Sequence, residues 1–72
     1  MTKNEMLQAL LKMQTLVLED SVYHAWCNVF DDGRSEWHIF DDRGEVVYAS
    51  FVGLFAAMER LGSIEKWSIL DD

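Results

Sequence analysis

Two sets of residues in this chain could do chemistry: carboxylates in close pairs, and two histidines with one cysteine. The stretch FDDGRSEWHIFDDRGE, residues 30–45, repeats an aromatic followed by two aspartates and a glycine. Asp31, Asp32, Asp41 and Asp42 would make a cation site only if they converged. They flank a segment of strand-forming composition, and seven residues at about 3.4 Å each would hold the pairs roughly 24 Å apart. Each pair alone offers too few oxygens for calcium, and neither matches the spacing of a calcium-binding helix–loop–helix. Aspartate and glycine are also the residues of tight turns, aspartate because it bonds to nearby backbone and glycine because it tolerates positive φ. The repeat therefore reads as two turns that leave acid on the surface.

His24, His38 and Glu36 are the next candidates. Two imidazoles and a carboxylate suit a transition metal, but none of the Cys/His spacings of zinc sites is present. Cys27 with His38 would be a nucleophile–base pair if they shared a face. In the register argued below they do not, and Cys27 reads as a small buried apolar residue. The sequence has neither a glycine-rich phosphate loop nor a nucleophile elbow. No catalytic residue, cofactor or metal is assigned, and the chain reads as a non-enzyme.

The elements that must position these residues form an α-β-β-β-α order. Thr2-Lys3-Asn4-Glu5 is a capping-box pattern. Leu7, Leu10, Leu11, Gln14, Val17 and Leu18 follow at helical spacing, and Met6, Ala9, Met13 and Leu16 broaden the apolar arc. These predict a helix over 3–19, ended by Glu19-Asp20-Ser21. Residues 22–30, 34–40 and 45–50 are rich in β-branched and aromatic residues and predict three strands. Asp31-Asp32-Gly33 and Asp42-Arg43-Gly44 are expected as three-residue hairpin loops. Ser50 caps a second helix over 51–61, with Gly62 at its end. The tail 62–72 fits a helical turn at Ile64 or a short strand at Trp67 and Ile69, and is expected to pack. The prediction is one compact α+β domain: a three-stranded antiparallel meander with both helices on one face.

With three-residue loops, Trp26 lies opposite His38 and Phe30 opposite Arg34. Tyr23, Ala25, Cys27, Val29, Trp37, Ile39, Val47 and Ala49 then form the core face. The other face carries His24, Trp26, Asn28, Phe30, Arg34, Glu36, His38, Phe40, Val46 and Tyr48. Large aromatics on a solvated sheet face mark an interaction surface, unless the tail folds back over them or they merely brace the sheet.

The totals narrow the class of partner. Thirteen acidic residues against six Lys and Arg give a net charge of −7, spread over both halves. Phosphate backbones need clustered cations, so direct nucleic-acid binding is not expected, even though a sheet studded with aromatics is one way to bind single strands. The double-stranded-RNA-binding domain shares the α-β-β-β-α order, but its basic side chains have no counterpart in a second helix whose only base is Arg60. A single cysteine fits a reducing compartment. The N-terminal segment lacks a secretory layout and no apolar run is of membrane-spanning length, so a cytoplasmic location is expected.

In size and acidity the chain resembles in type, though not in motif, the small inhibitors, immunity proteins and antitoxins of bacteria and their phages. The reading is a protein-binding module, an inhibitor or regulator of a basic, nucleic-acid-handling protein. Its contact residues are Trp26, Phe30, Glu36, His38, Phe40 and Tyr48, with Asp31, Asp32, Asp41 and Asp42 as an acidic rim. The alternative is a homodimer or structural subunit joined through the first helix or an edge strand.

Overall fold

The computed structural model describes residues 1–70. The N-terminal helix α1 spans Lys3–Leu11 and opens on the expected capping box. The Thr2 hydroxyl accepts from the Glu5 amide at 3.1 Å, and the Glu5 carboxylate accepts from the Thr2 amide at 2.9 Å. Donation to the carboxylate from the Thr2 backbone amide, and after it from the Thr2 hydroxyl, holds the exposed Glu5 carboxyl below its usual pKa. The helix stops eight residues before the predicted end. Gln14 N–H reaches back to the Ala9 carbonyl and Met13 N–H to that of Leu10, with Met13 in left-handed backbone at φ 57. This is a Schellman closure, in which glycine usually occupies the left-handed position. Here a methionine does, so the stop carries no sequence signal.

Residues read as the end of that helix form a strand instead. β1 (Leu16–Leu18) turns through Glu19-Asp20 into β2 (Ser21–Val29), with Glu19 also left-handed at φ 54. β3 (Ser35–Asp41) and β4 (Gly44–Tyr48) complete the meander, and α2 (Phe51–Leu61) follows as expected. The Ser50 hydroxyl accepts from the Gly53 amide at 3.2 Å to cap α2. Gly62 ends this helix in extended backbone rather than in a left-handed turn. What it provides is clearance, because a Cβ there would stand 2.8 Å from a Leu18 methyl. The tail realises both of its readings in series, a 3-10 turn at Ile64–Lys66 and then β5 (Trp67–Ile69).

The fold is thus α+β, as predicted, but the antiparallel sheet has five strands in the order β4-β3-β2-β1-β5 rather than three. β1 sits between β2 and β5, pairing Leu16 with Tyr23 on one side and with Ile69 on the other. Both helices pack on one sheet face. Met6, Ala9 and Leu10 from α1 and Leu54, Phe55 and Met58 from α2 meet Leu16, Leu18, Tyr23, Ala25, Trp37, Ile39 and Trp67. Trp67 lies 5.0 Å from Tyr23 between ring centroids, and its indole N–H donates to the Gly62 carbonyl at 3.1 Å. The described part of the tail therefore extends the sheet and joins its core face, and among the described residues the opposite face is left uncovered.

A stability test follows from the Schellman closure. Met13 is two-thirds exposed and held in a conformation that favours glycine. Met13→Gly is expected to raise stability by about 0.5–1 kcal/mol, read as a higher midpoint in thermal unfolding. A lower midpoint would mean that Met13 packs more usefully than its exposure indicates.

Candidate functional site

The first hairpin has the predicted register. Trp26 lies opposite His38 and Cys27 opposite Trp37, and the Phe30 amide donates to the Arg34 carbonyl at 2.8 Å. Gly33, at φ 88, supplies the left-handed residue of the three-residue loop. The second hairpin differs. Asp41 pairs directly with Gly44, so its loop is only Asp42-Arg43. That one-residue change sends each β4 side chain to the other face. Tyr48 and Val46, expected on the outer face, lie on the helix side beside Trp37 and Ile39, and Val47, expected in the core, is on the outer face. Tyr48 packs against the core and is no part of an outer-face site.

The uncovered face carries a ladder of rings across β2 and β3. Trp26 and His38 stack at 4.8 Å with their planes within 9°, and His24 stacks on Phe40 at 5.0 Å. Trp26 also meets Phe40 edge-on at 5.7 Å, which links the two stacks. Glu36 and Glu45 flank the ladder on either side of His38. Glu45 Oε1 is 3.4 Å from Nδ1, and Glu36 Oε1 is 3.5 Å from Nε2. The Glu36 contact is not a hydrogen bond, so Nε2 is a buried polar atom without a hydrogen-bond partner. Phe40, Val22 and Val47 remain exposed around the rings at 37%, 44% and 47%.

Of the predicted contact residues, Trp26, Glu36, His38 and Phe40 come together here. Phe30 lies past the end of β2, covered on one side by the Arg34 guanidinium at 5.6 Å. The sequence reading missed Glu45 as a contact residue and placed Val47 on the wrong face. Both depend on the length of the second loop, and Asp-Arg-Gly fits two loop lengths. His24 was placed on the correct face, and the predicted register, which is the observed one, sets it opposite Phe40.

The turn aspartates divide by role. Asp32 accepts from the Arg34 amide at 3.0 Å and Asp41 from the Arg43 amide at 2.9 Å, each two residues ahead. These are the local bonds that make aspartate a turn residue. Each also binds the following arginine side chain, at 2.6 Å for Asp32 and 3.4 Å for Asp41. Asp31 and Asp42 are exposed at the loop tips. The two loops sit at opposite ends of β3, and among the described residues no group of three or more His, Cys, Asp or Glu could hold a metal. Cys27 lies on the core side, away from His38, and burial pushes its thiol pKa up.

Compared with known proteins, the chain matches no family model, no curated protein and no solved structure at a significant level. Among the described residues no helix is long and apolar enough to cross a membrane.

Two measurements test this geometry. A double-mutant cycle on Trp26→Ala and His38→Ala should give a coupling of about 0.5–1.5 kcal/mol in unfolding free energy; additive effects would mean that the stack does not hold in solution. A thiol whose pKa is raised holds less thiolate at a given pH. Cys27 should therefore react more slowly than free cysteine with a disulfide reagent at pH 8, and reach the free rate once the protein is unfolded.

Proposed function

We propose that the chain is a non-enzymatic protein-binding module that docks through its uncovered sheet face onto a partner with a basic surface, acting as an inhibitor or regulator. The observation that carries this is the ring ladder of Trp26, His38, Phe40 and His24 between the carboxylates of Glu36 and Glu45, on a face that, among the described residues, no helix or tail segment covers. The rings stack on one another, so they stay ordered without a partner. Ordering them therefore adds little to the entropic cost of binding. Trp is among the residue types that dominate interface energies when a partner desolvates it.

Charge supports the choice of partner. With a net charge of −7, the chain attracts Lys- and Arg-rich surfaces, and such attraction governs encounter rate and register. A protein that handles nucleic acid has such a surface, and a compact acidic domain would compete with phosphates for it. The lone Cys27 fits action in a reducing compartment such as the cytoplasm.

The test is a tagged pull-down from a nuclease-treated lysate of the native host, with Trp26→Ala and the Glu36→Lys, Glu45→Lys pair as controls. A stoichiometric partner is expected. Trp26→Ala should weaken its binding by about 2 kcal/mol or more, and charge reversal and added salt should weaken it further. Binding indifferent to both would overturn the reading. Recovery of the chain alone would favour a homodimer.

A further inference from the structure

The outer edge of the sheet carries a second surface, which shares Glu36 and Glu45 with the aromatic face but does not use its rings. β4 is a terminal strand, with β3 on one side and, among the described residues, no strand on the other. Its two-residue loop determines which backbone groups are free. Asp41 and Gly44 flank the loop and form a hydrogen-bonded pair, and alternation along an antiparallel ladder makes Ile39 with Val46 and Trp37 with Tyr48 the next bonded pairs. Glu45 and Val47 therefore turn their N–H and C=O groups outward. The opposite edge, β5, is only three residues long, which is one way natural sheets blunt an edge. β4 is longer, contains neither proline nor lysine, and exposes Val46 and Val47 at 51% and 47%.

Beside this edge, on the helix side, a cavity of about 440 Å³ lies between β4 and α2, with Val46, Tyr48, Met58 and Leu61 as its apolar lining and Asp41, Arg43, Glu45 and Arg60 as its charged groups. The two sides of the strand thus differ in character. The outer face presents the carboxylates of Glu36 and Glu45, and the helix side presents an apolar floor with arginines, one of them, Arg43, bound to Asp41 at 3.4 Å.

We propose that β4 accepts an extended segment of a partner protein as a sixth, antiparallel strand. Its alternate side chains would be apolar, entering the cavity, and Lys or Arg, lying over Glu45 and Glu36. Strand addition of this kind draws affinity from the backbone and specificity from alternate side chains. A second copy of the chain is a poorer occupant, because two molecules of charge −7 would meet with a Glu45 on each side of the new pair. This inference goes beyond the aromatic-face reading and stands whether or not that face is a contact.

The probe is a short labelled peptide alternating lysine and valine, its binding followed by fluorescence anisotropy. In the proposed pairing the lysine residues lie opposite Glu45 and Val47, so their amides point at β4 and the valine amides point away. N-methylating the lysine amides should weaken binding about tenfold or more, while N-methylating the valine amides should leave it unchanged at identical charge. Val47→Pro, which removes an outward N–H and no internal bond, should weaken the unmodified peptide by a similar factor while the circular dichroism spectrum stays the same. Equal effects of the two methylation patterns, the opposite pattern, or no binding would overturn the proposal. None of these results depends on the aromatic rings, so the reading of that face would survive them.

Discussion

The fold depends on a strand of three residues. Among the described residues β1 is the strand that pairs with both the meander and the tail, and it can do so because its neighbours use both of its edges. Leu16 and Leu18 are the core-facing residues of this strand, and both are buried. Inserting β1 requires the chain to reverse twice at short range, once after α1 and once before β2. Both reversals use non-glycine residues in left-handed backbone, Met13 and Glu19, at a cost of about 1–2 kcal/mol each. Burying Leu16 and Leu18 against two strands and two helices offsets that cost, because a fully buried leucine contributes about 1.5–3 kcal/mol.

The sheet can be covered on one side only. The described residues supply two α-helices, and the connections put both on the face of Tyr23 and Trp37. The other face must manage its aromatics internally, and it does so by stacking them in pairs across β2 and β3. That solution gives an ordered surface that is neither a dry core nor a uniformly polar skin, which is the physical basis for regarding it as a place where another molecule binds.

How far the sequence could be read followed the kind of signal each element carries. The capping box at Thr2 and Glu5, the Ser50 cap, and the register set by Gly33 all rest on local bonds between residues close in sequence, and they were legible. β1 was not, because Leu16, Val17 and Leu18 continue the apolar spacing of α1, and the residue that breaks the helix is a methionine. β5 was seen only as one of two options, since its partner lies far away in the chain. The second hairpin failed for a subtler reason. Asp-Arg-Gly satisfies both a two-residue and a three-residue loop, and the chosen loop decides whether Tyr48 or Val47 faces the rings. The part of the candidate site on β2 and β3, with Trp26, Glu36, His38 and Phe40, was therefore legible, and the part contributed by β4, Glu45 and Val47, was not.

The pairing of β1 with β5 also bears on how the chain acquires its structure. β2, β3 and β4 are joined by short loops, so their contacts form at small loop-closure cost. Residues 16–18 meet residues 67–69 only after nearly the whole intervening chain has been drawn in, and such non-local pairings are the slow ones. The meander can thus assemble as a unit before the sheet is complete. Until β5 docks, β1 is an open edge and Tyr23 lacks its Trp67 neighbour, and β5 completes both the sheet and the core.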